Sequence, residues 1–305
     1  MYYTITLNPA IDMLVRPEKL ELGKLNRTNE AEYVVGGKGI NISMLLNNIG
    51  KKTKALGFVS GFTGAFIKSE LEKQGVVTDF VETAGKTRIN IKLIADSETE
   101  INGQSSGITN DNLKSFYEKL DTLSSLDTVF LSGNIITGMQ ISDFVKIAEK
   151  VKNQGAKLII DSNKDLVLET LKYNPFIVKP NQFELGEMFG VEITSIDDIL
   201  EYARKLQDKG AKNVLVSRGG EGALLLTHEG EIYTVNVAKG KIVSTSAAGD
   251  SMLAMFVAKY DETKDYKEAL KYASAAGGAT SFSAGVGKKD LIESLLPQIQ
   301  VNKIN

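Results

Sequence analysis

The 305-residue chain is 42% hydrophobic and 24% charged, the balance of an ordinary globular protein. Its 36 basic and 38 acidic residues leave a net charge of −2, so nothing recommends nucleic acid or an anionic membrane as a partner. There is no cysteine and one histidine, His228, which excludes disulfides, thiolate metal sites and cysteine nucleophiles and leaves little for Ser-His-Asp hydrolysis. The start, "MYYTITLNPAID", lacks the basic and apolar regions of a signal peptide. No apolar run approaches the ~18 residues of a membrane span, so a cytoplasmic location is expected.

In chain order, strands are predicted over 3–7, 54–59, 128–131, 157–161, 176–179 and 213–217, and helices over 40–49, 63–74, 110–123, 141–153 and 196–209. Several strands are continuous apolar runs, the pattern of parallel strands covered on both faces. Two helices stop before Gly155 and Gly210. This alternation predicts an α/β sandwich around a mostly parallel sheet. No repeat or Pro/Ser-rich linker divides the sequence, so one domain over 1–305 is expected.

Two stretches depart from the pattern. Residues 12–36 read as strands and turns without a long helix. In "RINIKLI", 88–94, Ile89, Ile91 and Leu93 share one face while Arg88, Asn90 and Lys92 share the other. Asp12, Leu14 and Arg16 likewise oppose Ile11, Met13 and Val15. These antiparallel-type patches predict a small accessory sheet from about 12–36 and 86–103, its polar face either covering a site or simply solvated. His228, in "LLLTHEGEIY", falls in a turn between two strands and reads as solvated.

Four stretches carry candidate chemistry. In "STSAAGDSMLAMF", 244–256, small residues and Asp250 precede Met252–Ala258, which has no polar side chain and belongs in a core. A helix opening there offers bare amides to an anion and a carboxylate able to take a proton; equally, Asp250 reads as a plain N-cap. "VVGGKGINIS", 34–43, sets Gly36, Gly37 and Gly39 around Lys38 at the start of a helix, without the spacing of a Walker loop or a dinucleotide fingerprint. In "VKPNQFEL", Asn181 and Glu184 lie three apart after a strand, as oxygen ligands for Mg²⁺ or as a capping box. "SRGGEGA", 217–223, is a hairpin turn or a nucleotide-phosphate loop.

In this order the four stretches resemble the PfkB carbohydrate kinase family, of ribokinase-like fold. "GGKGIN" and "AAGDSMLAMF" resemble its two signatures, "KPNQFE" its N-x-x-E magnesium motif and "SRGGEG" its nucleotide loop. "TLNPAID", "GFTGAFI", "TRINIKL" and "TEING" look like the branch that converts fructose 1-phosphate to fructose 1,6-bisphosphate, the tagatose-6-phosphate branch sharing much of this. The resemblance implies a three-layer α/β/α sandwich with a β-sheet lid that pairs across a homodimer. It implies ATP near Ser217, Gly219 and Gly222, Mg²⁺ held through water by Asn181 and Glu184, and Asp250 as base. The amides of Ala248, Gly249 and Asp250 would form the anion hole, with Gly249 also facing the nucleotide. Asp12, Gly37 and Asn41 match sugar-binding positions. For the sugar's phosphate the candidate cations are Lys38, Arg88 and Arg27, with Lys24 and Lys92 behind them and Asn90 beside Arg88.

Two departures bear on this expectation. Ala247 stands where the family usually has glycine, a cost if that position needs φ > 0. "LSGNIITG", 131–138, replaces a Ser-Gly-Ser-Leu-Pro-Pro-Gly loop near the sugar, so that Asn134 stands for a serine. A non-catalytic sugar-phosphate sensor is the alternative of a different class, supported only by these changes.

Overall fold

In the computed structural model, which describes residues 1–17, 19–95 and 97–304, the apolar runs become strands of one large sheet. The chain begins with β1 (Tyr2–Thr6), then leaves the main body as the ribbon β2 (Ala10–Pro17) and β3 (Thr28–Gly36). It returns through α1 (Lys38–Asn48), β4 (Thr53–Ser60), α2 (Gly61–Lys73), β5 (Val77–Thr78) and β6 (Val81–Thr83). A second excursion forms β7 (Arg88–Ile94) and β8 (Glu98–Ile101). Alternation resumes with α3 (Asn110–Leu120), β9 (Thr128–Ser132), α4 (Ile141–Asn153), β10 (Lys157–Asp161) and α5 (Lys164–Thr170). There follow β11 (Ile177–Val178), α6 (Gln182–Phe189), α7 (Ile196–Asp208) and β12 (Asn213–Ser217). The chain closes with β13 (Ala223–Leu226), β14 (Ile232–Val235), α8 (Ala248–Thr263), α9 (Tyr266–Ser281), α10 (Lys289–Leu295) and β15 (Val301–Ile304).

The main sheet has the order β15-β14-β13-β12-β11-β10-β9-β1-β4-β5, with β6 beside β4. Strands β12 through β5 pair in parallel, and β13, β14 and β15 add an antiparallel edge. Helices α3 to α7 cover one face, and α1, α2, α8, α9 and α10 the other. Amphipathic α7 is fixed at its start by a capping box, in which Ser195 Oγ accepts from the Asp198 amide at 3.1 Å and the Asp198 carboxylate accepts from the Ser195 amide at 2.9 Å.

Helix α8 is the exception to amphipathicity. Every residue of Met252–Ala258 is buried, packed among the sheet, α1 and α9. Small side chains on α9 permit the approach; Gly277 lies against Met252 and the Ala248 carbonyl. Truncating Phe256, which is fully buried, to alanine removes about 3–5 kcal/mol in sites of this kind.

The two excursions form a separate sheet of order β3-β2-β7-β8. The sequence pattern suggested antiparallel pairing throughout, and β2–β3 and β7–β8 obey it. The middle pair, β2–β7, is instead parallel. The chain reaches β7 only after α1, β4 and α2, and so long a crossover returns the strand in the same direction. Positions 18 and 96 of the two predicted segments lie outside the described residues.

Candidate active site

Strand order decides where a ligand fits. From β1 the sheet grows one way through β4 and the other way through β9 and β10, so the carboxyl ends of β1 and β9 form a topological switch point, the usual ligand crevice of open α/β sheets. Thr6 and Ser132 end these strands in register, and Asp161 ends β10 in register with Ser132. The glycine turn seats α1 over this edge. Gly37 opens the helix at φ 128°. Gly39 presses so close to β1 that a Cβ would stand 2.4 Å from Thr6 Oγ1 and 2.8 Å from the Ile5 carbonyl oxygen.

A cavity of about 450 Å³ occupies the crevice. Of the residues predicted from sequence it gathers Asp12, Gly37, Lys38, Asn41, Arg88, Asn134 and Asp250. Ala247, singled out from sequence for its backbone, joins them, as do Thr6, Asn8, Glu100 and Ser132, which sequence reasoning had not named as site residues.

Asp250 is 7% exposed and accepts a hydrogen bond from Asn41 Nδ2 at 2.8 Å. Burial, reinforced by the nearby charge of Asp161, raises its carboxyl to about 6. Burial also opposes the charge on Asp161, but Lys179 and Lys38 outweigh it and hold that carboxyl below the usual range. Lys38 Nζ donates to Asp161 Oδ1 at 2.7 Å, and Lys179 Nζ lies 3.4 Å from Oδ2. Two carboxyls in one site are thus driven in opposite directions, the arrangement that separates a proton acceptor from a fixed anion.

Asp250 sits in the first turn of α8, whose N-cap is Ala247 at φ 62°. The backbone cost anticipated for alanine at this position is therefore present. No side chain caps the helix. The Ala248 amide points to the Thr245 carbonyl at the long distance of 3.5 Å, while those of Gly249 and Asp250 fall in the unbonded first turn.

On the small sheet, register places Asp12 opposite Asn90, and Asn90 Nδ2 donates to Asp12 Oδ1 at 2.8 Å. Asn90 is buried and does not line the cavity; it orients Asp12. The Arg88 guanidinium donates to the carbonyls of Asn8 at 3.0 Å and Pro9 at 3.4 Å and has no ion-pair partner among the described residues. Asn134 is exposed, its Oδ1 accepting from the Ile135 amide at 2.9 Å. Lys92 is already neutralised by Glu100 at 3.3 Å and lies 3.9 Å from Asp12 Oδ2. Arg27 and Lys24 stand on the exposed turn before β3, Lys24 pairs with Glu21, and neither lines the cavity of this single chain. They were chosen for charge alone, and the ribbon carries them outward.

Asn181 and Glu184 form the capping box of α6 in full: Asn181 Oδ1 accepts from the Glu184 amide at 2.8 Å, and Glu184 Oε2 accepts from the Asn181 amide at 2.7 Å. One carboxylate oxygen and the second lone pair of Asn181 remain. Among the described residues no three acidic or histidine side chains gather as a metal cluster. So sparse a donor set suits a cation that keeps most of its waters and shares a phosphate, as Mg²⁺ does. Ser217 ends β12, Gly219 and Gly222 lie in the turn that follows, and an Asn181–Ser217 bridge joins this strand end to the Asn181 loop. His228 makes a 2.7 Å contact with the Tyr266 hydroxyl and does not line the cavity.

Asp161 and Lys179, which back the cavity through the Lys38–Asp161–Lys179 ion pairs, were not singled out from sequence. Asp161 ends β10 and Lys179 directly follows β11, and polar residues at strand ends acquire meaning only when the strand order is known.

Residues 6–293 match the profile of the pfkB family carbohydrate kinases. The chain belongs to that family. Over the full length of both sequences this PfkB kinase is 42% identical to a 1-phosphofructokinase of Bacillus subtilis and 37% identical to a D-tagatose-1-phosphate kinase of Bacillus licheniformis. Phosphofructokinase-2 from Escherichia coli, solved in complex with substrates and products, matches its fold with a TM-score of 0.92 at 26% identity, over 97% of this chain and 98% of that one. The three layers are the ribokinase-like fold, and this PfkB kinase is a sugar-phosphate kinase, a phosphotransferase with an alcohol acceptor. No helix among the described residues is long and apolar enough to cross a membrane.

Proposed function

We propose that this kinase transfers the γ-phosphoryl group of ATP to the primary hydroxyl of fructose 1-phosphate, giving fructose 1,6-bisphosphate. The carrying observation is the convergence in one cavity of a buried Asp250, the uncapped opening of α8 and the unpaired Arg88. Arg88 and Lys38 take the phosphate already on the sugar, the guanidinium offering a fork of donors. Asp12, oriented by Asn90, and Asn41 fix the hydroxyls. Asp250 accepts the acceptor proton, and the amides of Gly249 and Asp250 stabilise the charge on the migrating group.

Asn181 and Glu184 are the residues that would hold Mg²⁺ through water, and when bound it supplies charge neutralisation of the phosphates. The turn at Ser217, Gly219 and Gly222 faces the nucleotide. We treat 1–305 as one kinase domain in the cytoplasm, where sugar phosphates and ATP occur, with the small sheet as its lid. That sheet walls the cavity against water and pairs with a second copy through its outer face.

The tagatose relative acts by name on the 1-phosphate, which makes tagatose 1-phosphate the rival substrate, ahead of the 6-phosphate. A coupled ADP-release assay over ketose 1- and 6-phosphates decides. The expected outcome is the highest kcat/KM with fructose 1-phosphate. A higher value with a tagatose phosphate replaces the substrate, and tight binding without turnover replaces the enzyme by a sensor.

A further inference from the structure

The mechanism above leaves one polar residue of the cavity wall without a task. Asn8, in the turn between β1 and β2, is half-buried and lines the cavity together with Arg88. A closed loop of hydrogen bonds ties the two residues. The Arg88 amide donates to Ser105 Oγ at 3.2 Å, and the Ser105 hydroxyl in turn donates to Asn8 Oδ1 at 2.8 Å. The Arg88 guanidinium completes the loop by donating to the Asn8 carbonyl at 3.0 Å. Ser105 is itself only 8% exposed, so little water competes for its hydroxyl.

Fixing the amide oxygen fixes the orientation of the Asn8 side chain, whose nitrogen carries two donors. Neither donor has a partner among the described residues. An asparagine tied by its oxygen, with free donors at a cavity wall, is the kind of placed polar group that orients a ligand.

The chemistry of the candidate substrates says what it would meet. With the sugar's phosphate on Arg88, the ring carbon next to the phosphate-bearing carbon lies at this wall. In a ketofuranose 1-phosphate that carbon is C2, which bears a hydroxyl as well as the ring oxygen. In a ketofuranose 6-phosphate it is C5, which bears the ring oxygen and no hydroxyl. A donor held beside Arg88 finds a hydroxyl in the first class and a hydrogen atom in the second. It does not read C4, where fructose and tagatose differ.

We infer that Asn8 selects ketose 1-phosphates over 6-phosphates by donating from Nδ2 to the 2-hydroxyl, with Ser105 as the positioning residue that orients it. The inference rests on the kinase reading, with Arg88 on the sugar's phosphate, and deepens it: the site senses which end of the ketose is already phosphorylated.

The test compares fructose 1-phosphate with 2,5-anhydromannitol 1-phosphate, the furanose that lacks only the 2-hydroxyl. Calorimetry gives the ratio of the two affinities for each protein, and comparing ratios cancels the furanose fraction of the free ketose. Asn8→Ala is expected to lower the ratio about tenfold, the size of one neutral hydrogen bond to a substrate hydroxyl. The loss should fall on fructose 1-phosphate, with the analogue and fructose 6-phosphate bound almost as before. In the coupled assay KM for fructose 1-phosphate should rise while kcat stays within about threefold. Ser105→Ala should lower the ratio in the same direction by less. Should Asn8→Ala fold poorly, Asn8→Leu keeps the bulk, removes the donors and is read in the same way. An unchanged ratio overturns the inference, and so does equal weakening of all three ligands, which would make Asn8 a mere support for Arg88. A wild type that turns over no sugar phosphate defeats the kinase reading instead, and the calorimetric ratio still judges Asn8.

Discussion

Asp250 carries the chemistry and also a cost. Folding raises its carboxyl from the ordinary 3.8 to about 6, so between those values the folded chain binds a proton that the unfolded chain has released. Stability contributed by this residue falls as pH rises through that window and is constant above it. Asp250→Asn removes the cost, on the order of 2–3 kcal/mol for a shift of about two units. The variant is expected to melt above the wild type at pH 8, the gap closing toward pH 4, while kcat falls by about 10²–10⁴. Wild-type kcat/KM should rise through about pH 6 and level off, as a base that must be ionised requires. A variant that melts lower at pH 8 contradicts the burial argument. At this scale the sequence was informative where residues come in motifs: Asp250, Lys38, Asn41 and Arg88 all reach the cavity. The strain at Ala247 was legible too, because a known glycine position held a residue with a Cβ. Asp161 and Lys179 were not, since nothing local distinguishes a strand-end aspartate or lysine in a site from a solvated one.

Elements were legible in proportion to their periodicity. The parallel strands and helices α3, α4 and α7 follow apolar runs or clear amphipathic spacing; α3 merely ends at Leu120, short of the predicted 123. Helix α9 escaped because its Ala-, Gly- and Ser-rich face, which lets α8 pack closely, leaves little contrast between its sides. The glycine turn shows how an element is placed by what it lacks. Gly39→Ala would thrust a methyl against Thr6 and backbone of β1, where nothing flexible can yield. We expect a loss of about 3 kcal/mol or more by chemical denaturation, with KM for the sugar phosphate raised because Lys38 and Asn41 ride on the same helix. An unchanged midpoint would mean that α1 is not seated by this contact.

For the whole molecule, β-α alternation gave the layered architecture, but the pairing of the two lid segments depended on a crossover that periodicity does not encode. Alternation did give the lid's faces correctly, with Asp12, Leu14, Arg16 and Lys92 lining clefts on one side. The other side shows a row, Tyr33–Met13–Ile91–Ile101, in register across all four strands. Tyr33 and Ile101 are more than half exposed. The pairing with a second copy proposed above would use this apolar stripe. Sedimentation is expected to give a dimer, and Ile101→Glu a monomer with unchanged circular dichroism; a wild type that stays monomeric at all concentrations removes the proposal.

The grip of Arg88 on Asn8 and Pro9 has a mechanical outcome. Those two carbonyls belong to the segment joining β1 to β2, so the entry to β2 is stitched to the start of β7 at the foot of the wall. Strands β2 and β7 therefore leave the main body as one tied pair, and the corner of the cavity beside Arg88 is braced from both of its entering chains.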